Sequence, residues 1–397
     1  MIDPTKKVKF VDLGRLHAPI AAQLDQAALR VLREQRYIQG RDVGEFEKEM
    51  AATLDGAPVC GVSCATFGLL VALKALGIGP GDEVITTPLT FCATVNAILH
   101  AGATPILADV DLASMNIDPA EVQKKISPRT RAIVPVHFAG RPCDMDFLID
   151  LADRHGLKII EDCAHAVESE YKGRKSGTMG HFGCFSFYVT KNVVTGEGGM
   201  VLARDENDAA RIKVLALHGM SKDAWKRFGD EAYRHYSVVE CGFKYNMMDL
   251  QAAIGIHQLR RVEQTWNRRK EIWDEYDRAF SRLPVTLPAS AEPGTRHGLH
   301  LYTLLIDERR TGISRDAFLR EMGAQNIGVG VHYLSIPEHP YYQERFQWSP
   351  EQYPNAMRIG RQTVSIPLSA KLTDDDVQDV IRAVGRSLSC GVPVHRT

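Results

Sequence analysis

The chain has 397 residues, 44% of them hydrophobic and 24% charged, with a formal net charge of −1. These proportions suit a soluble globular protein long enough to bury a large core, in two domains or one large one. A near-neutral balance provides no overall field to recruit nucleic acid or an anionic membrane, so an anionic ligand has to be held by a local site.

From Cys60 to about Arg204, short apolar runs alternate with amphipathic stretches. VALKAL (71–76) has helical spacing and stops at Gly77, and DEVITTP (82–88) reads as a strand running into a loop. TVNAILHAG (94–102) is a helix closed by Gly102, followed by the strand TPILADVD (104–111). RAIVPVHF (131–138) and LKIIEDC (157–163) are further strands, separated by the amphipathic helix MDFLIDLADRHG (145–156). Strands and helices alternating at this spacing predict crossover units and a mainly parallel sheet covered on both faces. Ligands of such sheets bind beyond the carboxyl ends of the strands.

Residues 249–281 form one long charged helical stretch, after which proline and glycine break the chain at Pro284, Pro288, Pro293 and Gly294. LHLYTLLID (299–307) then reads as short strands, SRDAFLREMGAQ (314–325) as a helix, and 373–384 as the start of a terminal helix. Thr373 is its expected N-cap, with acidic residues in the first turn. The change of pattern divides the chain into a large α/β domain, 1–265, and a smaller α+β domain, 266–397.

The start, MIDPTKKVKFVDLG, has no apolar run long enough for a signal peptide, and the longest apolar stretch, around GLLVALKALGIG, is broken by Lys74 and too short to span a bilayer. The eight cysteines stand singly with no C-x-x-C pair. That pattern suits buried reduced thiols in a cytoplasmic protein and argues against a structural zinc site.

Four segments carry chemistry. In CFSFYVTKNVVTGEGGMVLA (184–203), Lys191 follows an apolar run and precedes a glycine cluster. Burying an ammonium is costly, so such a lysine loses its proton readily and becomes a nucleophile toward a carbonyl. Gly196, Gly198 and Gly199 let backbone pass close to a bulky ligand; the plain alternative is a surface lysine beside a hairpin. In LKIIEDCAHA (157–166), Asp162 ends an apolar strand where a carboxylate can pair with a protonated pyridine nitrogen, with His165 three residues on. The alternative there is a helix-capping aspartate with a satisfied histidine nearby. GVSCATFGLLVALKAL (61–76) opens a helix with small residues, and Ser63, Thr66 and the Phe67 amide are natural phosphate donors. A simple capped helix remains open. Neither a Walker loop nor a G-x-G-x-x-G fingerprint occurs. In TTPLTFCATVNA (86–97), Phe91 follows a strand end, as a stacking shelf or an ordinary core aromatic.

Together these segments, with YIQGRDVGEFEKEMA, HGMSKDAWKRF, GFKYNMMDLQAAIGIHQL, VHYLSIPEHPYY and TVSIPLSAKLTDDDVQDVI, resemble the DegT/DnrJ/EryC1/StrS sugar aminotransferases over nearly the whole chain. The resemblance implies a fold-type-I α/β architecture, with a mainly parallel seven-stranded-type sheet, that binds pyridoxal 5′-phosphate (PLP). It implies that Lys191 bonds the cofactor and shuttles a proton, Asp162 partners the pyridinium, and His165 contacts the ring face or O3′. It also implies Phe91 as the aromatic shelf and Thr66, the Phe67 amide and Ser186 as the phosphate cup. A neighbouring subunit of a homodimer would complete the cup with Asn246, or secondarily Lys244, from GFKYN. Phe67 departs from the small residue common at its position, so the nearby pocket is expected to be reshaped. Some relatives carry His in place of the lysine and are dehydratases; Lys191 argues against that branch.

The expected reaction moves an amino group from an amino acid, by analogy L-glutamate, to a nucleotide-linked keto sugar, with C4 of a UDP-4-keto sugar favoured. The product would serve amino-sugar or polysaccharide biosynthesis, lipopolysaccharide included. A PLP dehydratase or a cyclitol/aminobenzoate-type enzyme on the same scaffold is the alternative, and a regulatory homologue without turnover is the third reading. Lys222, Arg227 and Arg234, in HGMSKDAWKRFGDEAYRHYSVVE (218–240), are candidates for the substrate diphosphate. His332, beside Tyr333, is a candidate substrate contact from the smaller domain.

Overall fold

The computed structural model describes residues 7–221 and 237–389. Its centre is a seven-stranded sheet in the order β1-β9-β8-β5-β4-β2-β3. The strands are β1 (Val59–Val62), β2 (Glu83–Thr86), β3 (Thr104–Leu107), β4 (Thr130–Val134), β5 (Lys158–Asp162), β8 (Phe182–Ser186) and β9 (Gly199–Ala203). A small hairpin, β6 (Glu170–Tyr171) and β7 (Arg174–Lys175), lies outside it. All pairings are parallel except the two that β9 makes, with β1 and β8. Six strands therefore share one direction, and their carboxyl ends open on one edge.

Alternation along each strand explains why both faces are covered. Val84, Ala132, Val134 and Ile160 join Leu69, Leu70 and Leu73 of the Ala65–Ala75 helix on one face. Ile85, Ile133 and Ile159 join Met145, Leu148 and Leu151 of the Met145–His155 helix on the other. That helix ends on Gly156 in the left-handed region (φ 64°), as its sequence predicts.

The long helical stretch is two helices, Asp249–Leu259 and Val262–Phe280, with a break at Arg260–Arg261. The break has a packing reason. Ile256, Leu259 and Val262 belong to a cluster with Phe46, Met50 and Met247. Ile272, Trp273, Tyr276 and Phe280 pack with Phe318, Val377 and Val380 beneath the two-stranded sheet of β10 (Tyr302–Leu305) and β11 (Thr363–Ile366). The predicted strands of 299–307 reduce to β10 alone. Thr373 caps the last helix as expected: its Oγ1 accepts the Asp376 N–H at 3.2 Å, and Asp376 Oδ2 accepts the Thr373 N–H at 3.0 Å.

Seven of the cysteines lie among the described residues and all are free; Cys60, Cys143, Cys163 and Cys184 are buried. Cys241 departs from the buried expectation and is exposed. Among the described residues no helix is long and apolar enough to cross a membrane.

The Arg41–Thr53 helix begins at Gly40, which has no side chain to cap it. Asp249, fully buried, does so from across the fold, accepting the N–H groups of Gly40 (2.8 Å), Asp42 (3.0 Å) and Val43 (3.2 Å). A Cβ at Gly40 would lie 2.6 Å from Asp249 Oδ1, so the contact needs glycine. Asp249→Ala leaves three donors of the helix start, one buried and two partly buried, without that acceptor and is expected to cost about 2–4 kcal/mol. A fall in urea midpoint at unchanged slope would report it; a loss below about 0.5 kcal/mol would refute this capping role.

Candidate active site

The carboxyl ends of β1, β2, β5 and β8 deliver most of the sequence-predicted residues to one edge of the sheet. Asp162 is the last residue of β5 and is buried. Its Oδ2 accepts from Thr94 Oγ1 at 2.8 Å and its Oδ1 from the Ala164 N–H at 3.1 Å. Thr90 lies 2.8 Å from Thr94 Oγ1 and, with the Thr94 proton committed to Asp162, is the donor. Burial pushes the Asp162 carboxyl up; the two hydrogen bonds and the charges of Lys191 and His137 pull it back down.

Lys191 sits in the loop between β8 and β9. Removal from water lowers its amine to about 8, against the opposing attraction of Asp162. At neutral pH a usable fraction is therefore free base. The amine lines a cleft together with Asn192, His300, His332 and Tyr333.

His165 is buried, and both its nitrogens are engaged. Nδ1 accepts the Ala139 N–H at 3.2 Å, and Nε2 lies 3.0 Å from Tyr333 Oη. Burial and nearby positive charge hold the imidazole well below its usual pKa, so it is neutral. With Nδ1 accepting, the single proton is on Nε2 and donates to Tyr333 Oη. The Tyr333 hydroxyl is left with its own proton to offer. Phe91, 57% exposed at the start of the Cys92–His100 helix, has its ring centre 5.9 Å from that of Tyr333.

The start of the Ala65–Ala75 helix lies at the same edge. Its N-cap Cys64 makes no side-chain cap, so the amides of Ala65, Thr66 and Phe67 have no side-chain acceptor there. Ser63 Oγ, one residue earlier, is buried with no partner. Ser186 ends β8 and pairs in register with Gly199. A Cβ on Gly199 would lie 2.7 Å from the Ala65 nitrogen, so glycine lets the sheet abut the helix start and brings Ser186 beside it. The Phe67 ring turns away and stacks on Tyr245, centroids 3.8 Å apart, with Phe243 next in the pile.

Asn246 bridges Val62 through its backbone, and the Ser63 N–H donates to Tyr245 O at 2.7 Å. The GFKYN segment thus borders the helix start of its own chain, with the exposed Lys244 donating to Asn246 Oδ1. His332 lines the Lys191 cleft, stacks on Phe10 at 5.6 Å and bonds Ser365 Oγ through Nδ1 at 2.9 Å. Burial lowers it to about 4. Lys222, Arg227 and Arg234 lie outside the described residues.

Sequence reasoning missed a polar chain around the lysine. Asn192 Nδ2 donates to Glu168 Oε2 at 2.8 Å and its Oδ1 meets His300 Nδ1 at 3.0 Å, while Arg269 pairs with Glu168. A signal existed: Arg269 falls on the helical stripe of Val262, Thr265, Ile272, Trp273 and Tyr276, and a cation on an apolar stripe demands a buried partner. Thr94 carried no comparable signal. The one group of metal-type ligands among the described residues, His137, Glu161 and Cys163, is a protein-satisfied knot. Glu161 accepts from Gly177, Met179 and Gly180 N–H, and His137 bonds Glu161 and the Cys143 N–H.

A partly buried, desolvated amine in the field of a buried carboxylate, beside a helix start with free amides, is a site for a phosphorylated aromatic aldehyde. The family model of the DegT/DnrJ/EryC1/StrS aminotransferases matches residues 19–385. The chain belongs to this family. The spore coat polysaccharide biosynthesis protein SpsC of Bacillus subtilis (strain 168) is 47% identical over 347 residues, covering 87% of this chain and 89% of SpsC. Among solved structures, DesV of S. venezuelae has a TM-score of 0.89 at 34% identity, over 98% of this chain and 100% of DesV. Spr1654 of Streptococcus pneumoniae in its PMP-form has a TM-score of 0.88 at 28% identity, over 94% and 98% of the two chains.

The protein is a PLP-dependent aminotransferase of fold type I. The residues present fit the cofactor: the orphaned Ser63 Oγ and uncapped helix amides suit its phosphate, and the buried Asp162 suits its ring nitrogen.

The Lys191 amine yields a direct test. In cofactor-free protein, its acylation followed by mass spectrometry is expected to rise with pH through a midpoint near 8. Asp162→Asn removes the attraction that favours the ammonium, so its midpoint should fall below that. A midpoint near that of an exposed lysine, about 10.4, would refute the desolvated environment.

Proposed function

We propose that the protein transfers the amino group of an amino acid, L-glutamate by analogy, to a nucleotide-linked keto sugar, with C4 of a UDP-4-keto sugar favoured. The observation that carries the catalytic reading is the Lys191 amine, lowered to about 8, under the field of the buried Asp162 carboxylate. The relatedness to a spore coat polysaccharide protein supports a product destined for a polysaccharide.

In this reading the residues divide the work. Bound PLP supplies an electron-poor ring that takes up the electron pair released at the amino-acid α-carbon. Lys191 Nζ bonds the resting cofactor, carries the proton off the donor's α-carbon, and hands a proton to the sugar carbon that receives nitrogen. Asp162 keeps the ring nitrogen protonated. His165 would act through Tyr333: its Nε2–H donates to Tyr333 Oη, leaving the hydroxyl proton available to the cofactor's O3′. Phe91 covers the ring, and Thr66, the Phe67 amide and Ser186 hold the phosphate, joined by Ser63. Asn246, oriented by Lys244, reaches the cup of a second subunit in a homodimer. His332 contacts substrate, and Lys222, Arg227 and Arg234 serve the diphosphate. The amino group and the oxo oxygen exchange places, so a 2-oxo acid and an amino sugar leave with no net oxidation.

The test is spectroscopic. L-glutamate should bleach the visible band of the purified holoenzyme near-stoichiometrically, and a nucleotide-4-keto sugar should restore it; failure with every amino acid offered would sink the reading. Lys191→Ala should lose the lysine-bonded band and about a thousandfold or more of turnover with folding retained. Asp162→Asn should lose about a hundredfold or more. Unchanged rates in either variant would remove that residue from its role.

A further inference from the structure

The cleft beside Lys191 holds polar groups that the steps above do not use. Its volume is about 80 Å³, room for several waters and far below the ~300 Å³ or more of a pocket for a large organic ligand. Gln258 and Arg269 line it, from the helices on either side of the break at Arg260–Arg261. They are only 5% and 4% exposed. Each has a buried N–H without an acceptor, Gln258 Nε2 and Arg269 Nε. A buried donor without an acceptor is destabilising, and native proteins rarely leave two in one cavity unless something fills it.

The charges narrow what that is. Arg269 is paired with Glu168, and Lys371, lowered to about 8 by burial, shares the lining with the acid Asp12, whose charge offsets its own. Burial keeps His300 and His332 neutral. The remaining positive group is Lys191 itself, so the cleft suits one negative charge and not the two or more of a diphosphate.

We infer that this cleft is the subsite for a carboxylate of the amino donor, with the Gln258 and Arg269 N–H groups as its hydrogen-bond donors. The inference rests on the aminotransferase reading above and assigns one part of it. A carboxylate has acceptor sites on both oxygens and no proton to place, so it satisfies both orphan donors at once. A sugar hydroxyl brings a proton that would itself need an acceptor in the same small space. Both substrates must meet Lys191 in turn, and a carboxylate is the group that every amino-acid donor carries.

Gln258→Leu in the holoenzyme removes one donor at similar volume. Expected are a KM for L-glutamate in the bleaching half-reaction raised about tenfold, with kcat changed much less, the pattern of lost ground-state binding. The affinity for glutarate, a non-reacting dicarboxylate, should fall by a similar factor in calorimetry. Gln258→Glu keeps the shape, sets a carboxylate against a carboxylate, and should weaken both at least as much; it also serves if the leucine variant misfolds. Glutarate affinity and KM within twofold of wild type in both variants would overturn the inference while leaving the aminotransferase reading intact, as would equal weakening of donor and keto sugar. A wild-type holoenzyme that no amino acid bleaches would overturn that reading, and this inference with it.

Discussion

Everything in the site follows from one electrostatic constraint: an amine and a carboxylate are held out of water at the same edge of a sheet. Burial alone would drive Lys191 and Asp162 to their neutral forms. Each opposes that drift in the other, and Thr94 and the Ala164 amide add to the hold on Asp162. With its amine lowered to about 8, Lys191 can give and take protons near neutral pH. The parallel topology meets the constraint by putting the end of β5 beside the end of β8, with Asp162 in register with Cys184.

The same strand shows how the fold separates structure from chemistry. Glu161 and Asp162 are adjacent, so their side chains leave β5 on opposite faces. Glu161 is saturated by three backbone amides and His137, a buried carboxylate with nothing left to offer a ligand. Asp162 accepts two hydrogen bonds and keeps acceptor capacity for a third. The knot around Glu161 fixes the strand end, and so the direction in which Asp162 points.

How far the sequence was legible depended on the range of the interaction. The alternation of strands and helices, the glycine stops at Gly77, Gly102 and Gly156, and the Thr373 cap are local, and they were readable. The convergence of Lys191 and Asp162 was readable because residues at strand ends of a parallel sheet share an edge. The break at Arg260–Arg261 was not, because helical periodicity continues through it and only the change of packing partner, from Phe46 to Phe318, makes a straight helix untenable. Asp249 capping a helix that starts at residue 41, and His165 spent on Ala139 and Tyr333, are likewise long-range pairings that neither residue's neighbours announce.

The position of Lys191 is itself such a pairing. Its loop carries glycines at 196 and 198 and would hold the amine poorly by local stiffness alone. Asn192 supplies what the loop lacks, bonding Glu168, Gly298 O and His300 at once. Glu168 in turn holds Arg269, on the helix that packs against the β10–β11 unit. The residue after the lysine is therefore tied both to the segment that follows Asp162 and to the helix that bridges the two cores. The glycines give the loop the close approach it needs, and the polar chain removes the freedom that they would otherwise leave. A buried ion pair at that junction is a weak source of stability; its value here lies in fixing where the amine stands relative to the carboxylate.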